Sequence, residues 1–476
     1  MPHRTFLLRR LSAAVISLAS GAATAGIVDG QGNAVPNCPL PGLAALCIVD
    51  NVAARVDGPV APSIESVRIG RTAGYGNGGS LSIPAGQSLT LTRSTLAPSL
   101  VVGDNFGTSG QLEVIGSLTI NEPLNGGGTG GLMIGPFANP GDAPMGLFGA
   151  PIAATTAVIR DGGQVTINKP GGANVAAAMW VGYGVGARST LLLDGGIGAF
   201  GSPALGATLS TQGNLSIGRE GEGSLTLLRN ATVTAGLVFM SAVSPTGASS
   251  LEVGALSTLH ASRVIAGIGI NPATGAIDRS NPHGTATIGV RSTGTLAGDV
   301  WLGPGGTLFG SGNVTGGVLN DGGRLLPGNS PGTLNIGGDL IDNGGRIEIE
   351  IGAGGVHDRL LVGGRVQLTG TEIFFRFLDG FAPDAGFTLD FIDSAIDDLS
   401  VSDLRLRVGG LADGFQFNVA GNPLGQLVFT ALNNGVAIPA PGSAALLLAA
   451  LLGFGLVRLG PARRSWPSRA PVLRAS

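Results

Sequence analysis

Residues 100–120 read LVVGDNFGTSGQLEVIGSLTI, and residues 215–233 read LSIGREGEGSLTLLRNATV. Each opens on a short apolar phrase that ends in glycine, Gly103 or Gly218. A polar, glycine-rich turn follows. Apolar residues then alternate: Leu112, Val114, Leu118 and Ile120 in the first stretch, Leu225 and Leu227 in the second. Period two marks a β-strand with one buried face. Glycine at the strand ends supplies the positive φ that sharp corners need.

The opening phrase recurs at Val67-Arg68-Ile69-Gly70, Leu132-Met133-Ile134-Gly135, Trp180-Val181-Gly182, Thr287-Ile288-Gly289 and Trp301-Leu302-Gly303. Its glycines lie 32 to 47 residues apart from Gly70 to Gly218, then 71 apart (Gly218 to Gly289) and 14 apart (Gly289 to Gly303), so some coils carry insertions or lack the phrase. One such unit cannot cover its own apolar face, but stacked coils can, each strand pairing with the strand above at about 4.8 Å. The expected fold is all-β: a right-handed parallel β-helix over residues 65–340. Coils of about 22 residues give about a dozen turns and a rod about 60 Å long. The competing reading is an array of β-sandwiches. It draws on hairpin-type turns at Asn77-Gly78, Asn125-Gly126 and Asp161-Gly162.

Composition agrees with stacked coils. The chain has 84 Gly in 476 residues and only 12% charged residues, against a usual ~7% and ~25%. No G-X-Y period runs through it, which excludes collagen. With 43% apolar residues and a net charge of -3, it does not fit charge-rich disorder. This much glycine would melt a helical bundle. The basic residues are Lys169 and 26 arginines. Between the two ends the arginines are scattered singly in sequence, so no basic stripe for nucleic acid is expected.

The N-terminus reads as a secretory signal over residues 1–25. Arg4, Arg9 and Arg10 precede the apolar Leu11–Ala23, and Ala23-Thr24-Ala25 offers a cleavage site before Gly26. A membrane anchor is the weaker alternative, because Ser17, Ser20 and Gly21 break a short apolar run. The expected partners at this end are the Sec translocon and signal peptidase. Cys38 and Cys47, the only cysteines, fall in an N-terminal segment, residues 26–64. In an exported chain they read as one disulfide. Two free thiols, or half of a metal site, are the alternatives.

At the other end, Phe415 to Val457 contains no charged residue. Ser443–Val457 would span about 22 Å as a helix, and Arg458, Arg463 and Arg464 follow on the expected cytoplasmic side. The helix is preceded by Pro439-Ala440-Pro441. A short proline motif, a membrane helix and a terminal arginine cluster, over residues 436–464, resemble the PEP-CTERM sorting signal of Gram-negative bacteria. The resemblance implies processing at the motif by an exosortase, a membrane transpeptidase-like enzyme. Two departures are plain: Ala440 stands where the family has Glu, and residues 465–476 trail as a cytoplasmic tail. A plain single-pass anchor is the alternative.

The run Pro327-Gly328-Asn329-Ser330-Pro331-Gly332-Thr333-Leu334 resembles the P-G-x-S-P-G-T-L signature of autotransporter-type passenger β-helices. His357-Asp358-Arg359-Leu360 and Val362-Gly363-Gly364 resemble the stretch on the C-terminal side of that signature in those proteins. The resemblance implies a β cap, expected over residues 341–435, where nine of the 17 Phe lie between Phe374 and Phe429. The ~10-residue amphipathic strands of an outer-membrane translocator do not follow. The chain therefore reads as passenger-like, not as a self-exporting autotransporter.

No catalytic constellation stands out, and no cofactor is expected. Gly74–Gly79 matches G-x-G-x-x-G without a following helix, so it reads as a turn. His3 falls in the signal, and His260, His283 and His357 are isolated. His357 beside Asp358 reads as a polar turn, because adjacent strand residues face opposite sides. Asp104, Glu113, Asp161, Asp194, Glu220 and Glu222 are candidate carboxylates for polysaccharide chemistry, but a glycosidase needs two within reach of one bond. The expected function is that of an exported structural or adhesin-like protein. It would pass through the inner membrane to the cell surface or matrix, with exopolysaccharide or neighbouring cells as partners. A polysaccharide lyase or hydrolase, and a permanently anchored periplasmic protein, are the alternatives.

Overall fold

The computed structural model describes residues 26–35, 38, 45–58, 64–70, 78–92, 98–103, 109–122, 131–135, 154–169, 177–184, 186–197, 205–242, 244–245, 247–271, 276–280, 283–328 and 331–437. The signal segment, the Pro439–Arg464 sorting segment with its expected membrane helix, and Asp104 lie outside them. Among the described residues no helix is long and apolar enough to cross a membrane.

The described chain is all-β, with long parallel sheets of the β-helix or solenoid-like kind. Its strands fall into three ladders. Ladder A runs through thirteen parallel strands, from Ala53–Asp57 to Arg405–Gly409. Twelve steps at the usual strand spacing make it about 58 Å long. Ladder B contains the glycine-ended phrase, in strands such as Ile64–Ile69, Leu100–Val102, Leu132–Ile134, Ala177–Val181 and Asn214–Ile217. Ladder C holds Ser88–Thr92, Ser117–Asn121, Gln164–Asn168 and Ala207–Thr211. A typical coil visits A, then C, then B. In Ala231–Met240, Thr258–Ala266 and Thr295–Leu302 one strand passes from ladder C to ladder B without a break.

Register stacks like on like. On ladder A, Leu81, Leu112, Ala157, Leu191, Leu225, Leu251, Ile288, Leu308, Leu325, Ile347 and Ile373 form one inward column, all buried. Each Leu or Ile so buried contributes about 1.5–3 kcal/mol. The column is continuous because every coil puts an apolar side chain at the same height.

The phrase-ending glycines are corners. Gly182 has φ +78, and a Cβ there would stand 2.5 Å from the Glu222 carbonyl oxygen. Its N–H donates to the Ile134 carbonyl one coil earlier (2.9 Å), as Gly135 does to Val102 (2.9 Å) and Gly218 to Val181 (2.7 Å). Two coils keep this corner with altered wording, at Met240-Ser241 and Ala266-Gly267. Thr287-Ile288-Gly289, in contrast, lies inside the ladder A strand Thr285–Val290 and is not a corner.

Several expected boundaries move. Parallel stacking begins at Ala45–Val49 rather than 65, and continues past 340 through Arg346–Ile351 and Glu372–Phe377 to Arg405–Gly409. The cap is therefore smaller than residues 341–435. It is the antiparallel pair Phe417–Gly421 and Gln426–Ala431, the second of which also pairs with Thr388–Ser394 at the end of ladder C. Phe375, Phe391, Phe417 and Phe429 close the apolar end, with Phe375 within 4.8–5.8 Å of the other three ring centroids. The coil length is not constant. Ladder A strands start from 18 residues apart (306 to 324) to 45 apart (109 to 154).

The sandwich reading fails on pairing. The Asp161-Gly162 turn joins a ladder A strand to a ladder C strand, not two partners of a hairpin. Antiparallel strand pairs occur among the described residues only at Gly26–Val28 on Ala53–Asp57 and in the cap. Cys38 and Cys47 are joined by a disulfide. Cys47 is fully buried on a ladder B strand, so the bridge ties the N-terminal loop to the first coils.

Candidate functional site

The three ladders have different outer surfaces. On ladder B the outward residues Val101, Met133 and Trp180 are buried with Tyr183, and Phe239 and Ile265 are buried with Ala242, Ile268 and Ile270. These are two further apolar clusters outside the coil interior, so ladder B is not a solvent face over these coils. Ladder A is. One outward column of it reads Gln111, Thr156, Thr190, Ser224, Ser250, Thr287 and Thr307, each exposed or half-buried. The Ser250 hydroxyl donates to that of Ser224 across one coil step (3.0 Å).

The same column then changes chemistry. Thr307 is followed in register by Arg324, Arg346, Glu372 and Arg405. Glu348, Glu350, Arg376 and Arg407 stand beside them on the same face. Glu348 is in ion-pair reach of Arg324 (3.4 Å), Arg346 (3.3 Å) and Arg376 (3.4 Å). Glu350 pairs with Arg376 (3.2 Å), and Glu372 with Arg346 (3.4 Å) and Arg407 (3.8 Å). Arg346 lies 4.4 Å over the Phe374 ring.

Beside this face is a pocket of about 330 Å³ lined by Phe309, Pro327, Gly328, Glu348, Glu350 and Asp358, among others. It brings Pro327 and Gly328, which open the P-G-x-S-P-G-T-L run, together with Asp358. Asp358 is buried. Its Oδ1 accepts the N–H of Gly332 (2.8 Å) and its Oδ2 accepts the N–H of Glu350 (2.9 Å). Burial pushes its carboxyl up to about 6 against the pull of those two donors. His357 turns away: its ring nitrogens lie 2.8 Å from the carbonyl oxygens of Gly355 and Asp390. The two side chains therefore serve separate backbone contacts, as expected for a turn.

A second, wider groove of about 530 Å³ crosses the ladder C side of the last coils. Asn313, Asn335, Leu361 and Asp393 line it, and the Asn335 amide donates to Asn313 Oδ1 (3.0 Å). In the coil interior, Asp342 accepts from Thr371 Oγ1 (2.6 Å), the Gly345 N–H (3.0 Å) and the Asn320 amide, and burial raises its pKa.

Of the described candidate carboxylates, Glu113 and Asp161 meet on one guanidinium, and the others stay with separate arginines. Glu113 meets Arg160 (2.8 Å), which also pairs with Asp161. Asp194 pairs with Arg229, whose guanidinium lowers its pKa. Glu222 meets Arg188 (3.1 Å), and Glu220 lies 3.8 Å from Arg219. Each is held by an arginine, mostly from a neighbouring coil. Lys169 is buried near Glu122, and burial lowers its pKa. His260 and His283 join no cluster, and among the described residues no group of three His, Cys, Asp or Glu could hold a metal ion. Sequence reading missed the gathering of Arg324, Arg346, Arg376, Arg405 and Arg407. The signal for it was the coil register itself.

No protein-family model matches the chain, and no curated protein matches it.

Proposed function

We propose that this chain is an exported, adhesin-like structural protein of the cell surface or extracellular matrix, sorted by the Pro439–Arg464 segment and cut there by an exosortase-type enzyme. The observation that carries the reading is the unbroken ladder A from Ala53 to Gly409. A stack of this kind is a stiff rod with a repetitive outer face, suited to presenting surface over distance. The right-handed sense is adopted because parallel crossovers almost always take it. The resemblance of Pro327–Leu334 and of the C-terminal three-part signal to exported families supports the location. The inner membrane is then a transient stop. The two ends of the rod also fit: the described chain leaves the C-terminal end at Ala437, bridged to Leu411, two residues before Pro439.

Deleting Pro439–Ser476 and fractionating the cells tests the sorting role. The deletion is expected to abolish surface display, and unchanged display would sink it. Mass spectrometry of the mature chain separates processing from permanent anchoring, since an anchored protein keeps Leu446–Leu452. A second reading is a polysaccharide-active enzyme. The pocket with Glu348, Glu350 and Asp358 favours it. Reducing-end and unsaturated-product assays on matrix polysaccharides decide it, and a flat panel retires it.

A further inference from the structure

We infer that the outer face of ladder A between Arg324 and Arg407 binds a carboxylate-bearing polysaccharide laid along the stack axis. The inference rests on the surface-protein reading and names the ligand class for it. Five arginines and three glutamates share this face, a local excess of two positive charges. Their depths differ more than their numbers. The carboxylate side chains of Glu348, Glu350 and Glu372 are 8%, 17% and 19% exposed, whereas Arg324, Arg376 and Arg407 are 51%, 53% and 64% exposed. The acids lie beneath and the guanidinium groups lie on top, so the surface a polymer meets is positive.

Arg405 adds to this. Among the described residues it makes no carboxylate ion pair, and its Nη2 donates to the Gly370 carbonyl (2.9 Å), which fixes the group. Arg346 is placed over the Phe374 ring. A guanidinium fork matches a carboxylate in bidentate geometry. The patch spans three coil steps, about 14 Å, which suits a chain carrying one charge per sugar. Duplex DNA, with one charge per about 1.7 Å, would demand a denser cationic track. Beyond Arg324 the same column continues as Thr307, Thr287, Ser250 and Ser224, neutral hydroxyls for the rest of the polymer. Asp390, Asp393, Asp397 and Asp398 lie on the last ladder C strand and the turn after it, on another side of the coil. Asp403 lies in the turn entering Arg405–Gly409, and Asp358 lies buried in the pocket beside the face.

The test is retention of the purified full-length chain on immobilised polygalacturonate, with dextran and duplex DNA as parallel probes. Binding to polygalacturonate is expected, weakening as NaCl is raised, with dextran and DNA held far less. The double substitution Arg405→Ala/Arg407→Ala is expected to weaken it at least about tenfold, the scale of losing charge-assisted hydrogen bonds. Arg229→Ala, on a distant coil, is expected to leave it unchanged. Equal retention of dextran or DNA, or full retention by a folded Arg405→Ala/Arg407→Ala variant, overturns the inference. If that variant unfolds, salt-independent binding of the wild-type chain overturns it equally. A chain displayed at the surface but not retained on polygalacturonate sinks this inference alone.

Discussion

Asp358 accepts the backbone N–H of Gly332 at 2.8 Å, joining residues 26 apart in sequence. The same carboxylate accepts the Glu350 N–H, so one buried side chain fixes the turn after Pro327 to the ladder A strand Arg346–Ile351 of the next coil. Its carboxyl is pushed up to about 6 by burial, above the ordinary 3.8. The folded state therefore holds this proton more tightly than the unfolded chain. Below about pH 4 both states are protonated and the fold carries no penalty. As pH rises through about 6 the fold must keep a buried charge, and stability falls. Urea midpoints are expected to be lower at about pH 7 than at about pH 4.5. Asp358→Asn is expected to flatten that slope. A slope unchanged in the variant would assign the response to Asp342, which burial raises in the same direction.

The corner glycines separate two costs. Gly182 has φ +78 and a backbone oxygen 2.5 Å from where a Cβ would stand, whereas Gly86 has φ +77 and open space. Gly86→Ala should cost about 1–2 kcal/mol, the penalty of the left-handed backbone alone. Gly182→Ala should cost several-fold more, because coil must part from coil. Equal losses in chemical denaturation would show that packing at the corner is slack.

Phe375 sits fully buried at the aromatic end of the stack. Phe375→Ala is expected to cost about 3–5 kcal/mol. Coils touch only their neighbours, so the damage should stay local. Hydrogen exchange is expected to speed up over 372–431 while the strands around Leu191 and Leu225 keep their protection. Uniform loss along the chain would contradict the one-dimensional stack.

Replacing both Cys38 and Cys47 by Ser removes a bridge with a sequence separation of 9. Loop-closure entropy puts the loss at about 2–3 kcal/mol. It should appear as earlier fraying of the first coils, read by limited proteolysis. A global drop in cooperativity would argue that the N-terminal end nucleates the whole rod.

Much of the fold was legible in the sequence, for a local reason. Alternation in Leu112–Ile120 and Leu225–Leu227 reports a strand face directly, and the phrase ending in Gly103 or Gly218 marks a ladder B corner. Identical wording can still sit on another ladder, as at Thr287-Ile288-Gly289. A corner can also survive with other wording, as at Met240-Ser241. The aromatic enrichment after Phe374 suggested a separate cap. In fact Phe375 stacks on Ile349 in parallel register, and only the last two strands turn back. The arginine face was not legible. Arg324, Arg346, Arg376, Arg405 and Arg407 are far apart in a chain of uneven coils, and only the register of the strands brings them together.

The first and last strands of ladder A lie at opposite ends of the stack, with Gly26 beyond one and Ala437 beyond the other. The length of the stack is therefore graduated in coils. Residues 306–323 hold one complete graduation, with a strand for each ladder. Removing such a unit would shorten the reach by about 4.8 Å and leave both ends as they were. Selection could adjust how far the disulfide-bearing tip stands from whatever holds Ala437 by duplicating or deleting single coils, with no redesign of either terminus.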